Sequence, residues 1–304
     1  MYRSFRLMHT CFLWGLCLLS FSSCTTVRIG TEILSGRDRD RQITLPPLSW
    51  QDLGPIRYAS GRISNPPLLF WAAAVNLEDP AIQVLVVPEP VEYGVVPSIK
   101  VSTFAESYNC IIAINANPFD RVSDQEGEAR QLVGIAMAEG RLMADPAPRY
   151  GALLIDSDRR ARIVSQKDLL LHDGAIDWRA LEKVRFAVGG FFPVLHEGLA
   201  QGERKIRYPR SAVGVSRDGK TLYLLAVDGR LLDSIGTTEM ETGQILADLG
   251  AWDGLLLDGG GSTSLVIQEK DGIRRVLNHP IHEGTLNRER AVATCLGFSI
   301  SGSW

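Results

Sequence analysis

The sequence lacks most of the short motifs that announce a reaction. It contains no Cys-x-x-Cys pair, so neither a zinc ribbon nor a dithiol redox site is supported. It has no Gly-x-Ser-x-Gly elbow and no His-Glu-x-x-His, which removes support for serine-hydrolase and zincin chemistry. Charge of one sign is not in excess. A net charge of −3 over 304 residues argues against a general nucleic-acid surface. There is no internal repeat and no long low-complexity tract. His279 and His282 flank Pro280, but no clear third ligand lies near them, so no metal is expected. Nothing in the pattern asks for a cofactor.

What is present begins with an address. Arg3 and Arg6 precede an apolar run, Cys11 to Phe21, that is too short to span a bilayer comfortably. Ser22-Ser23-Cys24 follows, and Cys24 resembles the lipid-modified cysteine of bacterial lipoproteins. The expected plan is a signal peptide over 1–23, a tether over 24–54 and a folded body over 55–304. The implied location is exported, anchored to a membrane of a bacterial cell envelope through Cys24. Of the five cysteines, Cys24, Cys110 and Cys295 would then remain. The last two lie in apolar strand-like contexts and read as buried thiols.

Hydrophobic residues make up 45% of the chain, enough for a substantial core. Asp-Gly recurs at 173, 218, 228, 253, 258 and 271, marking tight turns. The segments between read mostly as strands. Ser211 to Gly229 forms two β-like runs around Arg217-Asp218-Gly219-Lys220, a predicted hairpin. Ile111 to Asn115 and Gly254 to Asp258 are apolar runs expected of central strands buried on both faces. Thr238 stands three residues before Glu241, a capping box that opens a helix ending at Gly250. Val101 to Asn109 is a second helix candidate. The balance predicts an α+β fold, one domain with a mixed, largely antiparallel β-sheet and few helices.

The chemistry concentrates in Leu255 to Val266, LLLDGGGSTSLV. An apolar strand ends in Asp258, and bare backbone follows at Gly259, Gly260 and Gly261. Successive glycine N–H groups can converge on an anion, and Ser262 and Thr263 add hydroxyls. No lysine follows where a Walker A loop requires one. The alternative is a tight turn capped by Asp258. Asp228 and Arg230, in Asp-Gly-Arg, end another strand-like run. That aspartate suits a catalytic carboxylate, a metal ligand or a turn residue. Arg210 opens a buried strand and suits bidentate phosphate binding or a surface ion pair. Asn115 and Asn117 sit at a strand end, where amides hold sugar hydroxyls or close a turn. Glu289 and Arg290 precede the last strand, where a solvated charge cluster is the default.

The ordered set carries more than its members. AINANPF, AVGGFFPVL, YPRSAVGVSRDGKTLYLLAVDGR, GTTEMETGQIL, LGAWDGLLLDGGGSTSLV and NRERAVATCLGF follow in succession. This series resembles the phosphodiester glycosidase family over roughly residues 55–300. The family includes the enzyme that uncovers mannose 6-phosphate by removing N-acetylglucosamine. The resemblance implies that Asn115, Arg210, Asp228, Arg230, Asp258, Gly259, Gly260, Ser262, Glu289 and Arg290 line an active-site cleft. Three positions depart from the family pattern. Pro118 stands where a small residue is usual, Ala291 where a proline is expected, and Phe191-Phe192 places two bulky aromatics before Pro193.

The implied reaction is hydrolysis of a sugar-1-phosphodiester to free sugar and a phosphate monoester. The second pKa of such a monoester is about 6, so it leaves readily and needs charge stabilisation more than an acid. The glycine loop and Arg210 would supply that. A carboxylate, Asp258 or Asp228, with Glu289 as a further candidate, would activate water or attack the sugar carbon. The expected partner is a carbohydrate phosphodiester. The rival readings are a lipoprotein that binds phosphorylated glycans without turnover and a phosphodiesterase that cuts the P–O bond.

Overall fold

The computed structural model describes residues 42–86 and 90–301, which belong to one compact unit beginning at Gln42. The signal peptide, Cys24 and the first part of the tether lie outside the described residues. Three sheets form the body, and the strand pairings described are antiparallel. An eight-stranded sheet runs in the order Gln51–Leu53, Ile56–Ser64, Pro67–Asn76, Thr221–Val227, Arg210–Val215, Asp253–Leu256, Pro193–His196, Leu199–Ala200. One five-stranded sheet runs Arg274–Val276, Leu265–Gln268, Ile112–Asn115, Cys295–Ile300, Ile82–Val86. The other runs Ala161–Ser165, Gly151–Asp156, Val184–Gly189, Ala136–Ala138, Arg141–Ala144.

The main core lies where the three sheets meet. Leu222, Leu224, Val213 and Leu255 from the first sheet pack with Ile112, Ile114, Leu265 and Leu296 from the second and Leu153, Ile155 and Val188 from the third. Each fully buried side chain of this size contributes roughly 1.5–3 kcal/mol relative to exposure. Ile112–Asn115 is buried throughout and sits in the middle of its sheet, as its unbroken apolar run predicts. The hairpin at Arg217–Lys220 forms with Gly219 at φ +75°, the left-handed conformation that glycine permits.

Three α-helices occur among the described residues: α1 (Val101–Ser107), α2 (Trp178–Leu181) and α3 (Glu239–Leu249). The capping box forms as the spacing predicts. The Thr238 hydroxyl accepts from Glu241 N, and the Glu241 carboxylate accepts from Thr238 N. Gly250 ends α3 at φ +106°.

Two expectations need correction. The tether does not reach residue 54. Ile43 is buried, its N–H donates to Gln244 of α3, Leu45 N donates to Asp248, and Gln51–Leu53 joins the large sheet. Apolar residues 43, 45, 48 and 50 belong to or pack against the hydrophobic cluster that includes Ile245, Leu246 and Leu249 of α3. Asp253-Gly254 is not a turn either. Gly254 lies inside Asp253–Leu256, where a methyl would meet Leu246 Cδ1 at 2.7 Å and Leu195 Cβ at 2.9 Å. This glycine admits close packing, which composition alone does not separate from a turn. Cys110 and Cys295 are free and buried, and burial pushes the Cys110 thiol up to about 12.

Candidate active site

The glycine loop is the crossover between two sheets. The chain leaves the large sheet after Leu256, turns through Asp258 to Ser264 and enters the second sheet at Leu265. Asp258 N donates to Ala116 O at 2.9 Å, and Asn115 Nδ2 donates to Asp258 O at 2.5 Å. The two sheets are thus tied together at the base of the loop. In the large sheet Arg210 pairs with Val227, and Ala212 pairs with Leu256. That register brings Arg210, Asp228 and Asp258 to one edge, although they are far apart in sequence.

Two glycines of the loop face guanidinium groups, and the third packs on the chain at Pro209 and Arg210. Gly259 lies over Arg210, where an added methyl would be 3.8 Å from its Cα and 3.0 Å from Pro209 O. At Gly260, with φ +63°, the methyl would lie 3.3 Å from Arg230 Nη2. At Gly261 it would lie 2.5 Å from Arg290 Nη2. The loop's own N–H groups are largely engaged. Gly260 N donates to Pro209 O, Ser262 N to Gly259 O and Thr263 N to Gly260 O. The glycines also serve close packing. At Gly260 and Gly261 the missing side chain leaves room for the Arg230 and Arg290 guanidinium groups, and at Gly259 for the backbone of Pro209 and Arg210.

A relay joins the last of these arginines to the carboxylate. Arg290 Nη1 donates to Ser262 Oγ at 3.1 Å, and the Ser262 hydroxyl donates to Asp258. Burial raises the Asp258 carboxyl to about 6, against the opposing pull of Ser262, Arg290 and Gly259 N–H. Burial also lowers the pKa of Arg290, and the Asp258 charge opposes that shift. Arg290 Nε donates to His282 Nδ1 at 3.3 Å. Arg230 Nη1 donates to Ile281 O at 3.3 Å. Arg210 Nε reaches Thr237 O and its Nη2 reaches Ile206 O, both at 3.2 Å, so carbonyls rather than a surface acid aim it.

Several expected site residues are hydrogen-bonded within the protein itself. Asn115 is fully buried; its Oδ1 accepts from Ser211 Oγ at 2.6 Å and Ser264 N at 3.2 Å, so it braces the loop. Asn117 is bound to Gly134 O, Ile135 O and Thr294. The Glu289 carboxylate accepts from Ser102 N, Ser102 Oγ and Ser264 Oγ. It clamps the start of α1 to the loop's exit. Thr263 is buried within the loop.

Asp228 has a partner that local sequence did not indicate. It is 1% exposed, accepts from His279 N at 2.9 Å and meets His279 Nδ1 at 2.6 Å. Burial raises its pKa, and the His279 contacts oppose the rise. The two histidines of HPIH thus separate: His279 joins Asp228, and His282 is buried beside Arg290. The described residues hold no cluster of three or more metal-ligating side chains. The pairing joins residues 51 positions apart, a separation that periodicity does not reveal.

The sequence profile of the phosphodiester glycosidase family matches residues 108–299. The chain belongs to the phosphodiester glycosidase family. The matched stretch contains every arginine, glycine and carboxylate described above. A curated relative, the SPbeta prophage-derived uncharacterized protein YomE of Bacillus subtilis, is 26% identical over 204 residues. That match covers 61% of this chain and only 29% of the relative's length. A crystal structure of a hypothetical protein from Synechocystis shares the fold with a TM-score of 0.63 at 16% identity. It is matched over 84% of this chain and 64% of its own. The catalytic domain of zebrafish N-acetylglucosamine-1-phosphodiester alpha-N-acetylglucosaminidase, auto-inhibited by its pro-peptide, shares it with a TM-score of 0.56 at 20% identity. That match covers 83% of each chain.

Proposed function

We propose that this chain hydrolyses a sugar-1-phosphodiester between the anomeric carbon and the bridging oxygen, releasing free sugar and a phosphate monoester. The observation that carries this reading is the approach of Arg230 and Arg290 to a glycine loop that begins at Asp258, with Arg210 brought to the same sheet edge by strand register. Arg290 is matched to Asp258 through Ser262, which leaves Arg210 and Arg230 for the substrate. The diester carries one negative charge, and a second develops on the phosphate as the C–O bond breaks. Two guanidinium groups suit that final charge. Asp258 is the carboxylate for the positive charge that grows on the sugar carbon. The family and the zebrafish relative's stated activity support the same class.

Product analysis in isotopically labelled water tests this. Label in the free sugar, with an unlabelled monoester, supports C–O cleavage. Label in the phosphate identifies a phosphodiesterase. Binding of sugar phosphates without product identifies a glycan-binding lipoprotein.

We also infer export and lipid attachment at Cys24, from the basic start, the short apolar run and Ser22-Ser23-Cys24.

A further inference from the structure

His279 lines a cavity of about 780 Å³, and its chain neighbours reach the glycine loop. Its neighbour Asn278 donates Nδ2 to Thr263 O at 3.0 Å and accepts from Leu265 N at 2.8 Å. Two residues further on, Ile281 O holds Arg230. The segment carrying His279 is therefore pinned to the loop on both sides. On its other side His279 lines the cavity with Lys100, Asp124, Glu126, Arg288 and Glu289.

The ring is held in one orientation. Asp228 engages its backbone N–H and its Nδ1 together, and the Trp71 ring meets it edge-on at 5.6 Å and 62°. The Asp228 side chain is 1% exposed and that of His279 43%, so the accessible edge of the imidazole is the one bearing Nε2. A carboxylate accepting at Nδ1 fixes the proton there and leaves Nε2 as an acceptor. The carboxylates around the cavity are engaged elsewhere. Asp124 is paired with Arg288, which holds its carboxyl below the usual range. Glu289 is bound to Ser102 and Ser264, and Glu126 accepts from Lys100 N.

We propose that His279 is the general base of this site, with Asp228 as its positioning carboxylate; the assignment rests on the glycosidase reading above. Water enters from the cavity and its oxygen attacks the anomeric carbon. Nε2 takes the water's proton as the C–O bond breaks, and the bonding pair leaves with the phosphate monoester. The imidazolium then returns its proton to solvent.

The test uses the full chain and the methyl diester of N-acetylglucosamine 1-phosphate. His279→Ala lowers kcat by about 10²–10⁴-fold with KM nearly unchanged. Because the site is open to the cavity, added imidazole restores turnover in proportion to its concentration. Asp228→Asn lowers kcat as well, and the ¹⁵N spectrum of His279 shows its proton moved from Nδ1 to Nε2. If His279→Ala does not fold, His279→Gln replaces it in the kcat and KM comparison. Unchanged kcat in a folded His279 variant, or a loss that imidazole leaves untouched, overturns the assignment while the glycosidase reading stands. No release of sugar by the wild type overturns both.

Discussion

Arg290 occupies the space that a side chain on Gly261 would fill, with its Nη2 2.5 Å from the position of an added methyl. The glycine is thus required by an arginine distant in sequence rather than by the backbone, since Gly261 is not among the glycines at positive φ. Gly261→Ala displaces the guanidinium from Ser262 and breaks the relay to Asp258. Turnover falls about tenfold or more, the loss of one such contact to a charged group. Thermal unfolding shifts little, because a flexible side chain moves more easily than a strand. Gly260→Ala differs, since φ +63° adds backbone strain of roughly 1–2 kcal/mol. Parallel melting curves and kcat measurements separate the two.

Asp258→Asn loses turnover and gains stability at neutral pH. The folded carboxyl has a pKa raised from 3.8 to about 6, so the folded state holds a proton that the unfolded state has released between those values. Stability therefore falls as pH rises through that window, by at most ~3 kcal/mol. The amide variant escapes this loss, and the difference in Tm vanishes below about pH 4. Wild-type kcat/KM rises with pH with a midpoint near 6 as the carboxylate ionises. A variant that melts lower than wild type at pH 7 would make Asp258 a loop cap instead.

Arg210→Ala weakens binding as well as turnover. Loss of one charge-assisted contact costs about 1.5–3 kcal/mol, roughly ten- to a hundred-fold in affinity for a non-hydrolysed sugar phosphate. Arg210→Lys restores only part of it, because an ammonium cannot reproduce the fork that reaches both Thr237 O and Ile206 O. Calorimetric titration of the two variants gives the order.

Glu289→Ala is a stability variant. It leaves Ser102 N, Ser102 Oγ and Ser264 Oγ without their acceptor, at about 1–3 kcal/mol. Activity per folded molecule stays within a few-fold of wild type. A large kcat loss at unchanged Tm would return this carboxylate to the chemistry.

Cys24→Ala moves the protein from the membrane fraction to the soluble fraction of cells that export it, since stable anchoring rests on acyl chains. Mass spectrometry of the wild type finds the lipid on the same residue. An unlipidated, soluble wild type sinks the anchor.

Much was settled by local pattern. The capping box of α3, the Thr221–Val227 strand, the Arg217–Lys220 hairpin and the buried Ile112–Asn115 run all follow from interactions within a few residues. The ordered motifs named the family. Other assignments depended on partners distant in sequence. Asn115 and Glu289 carry the residue types of a sugar-binding amide and an acid, yet Ser211, Ser102 and Ser264 engage them as supports. Residues 43–50 look like a linker until Ile43 and Leu45 bind Gln244 and Asp248 of α3. Asp228 becomes the partner of His279 only once the large sheet sets its strand end beside the segment carrying His279. Sequence by itself determined which residues could do chemistry and which segments were strands, because both depend on short-range pattern. The tertiary structure alone decided which donors hold Asp228 and Glu289, because those donors lie 25 to 187 residues away in sequence.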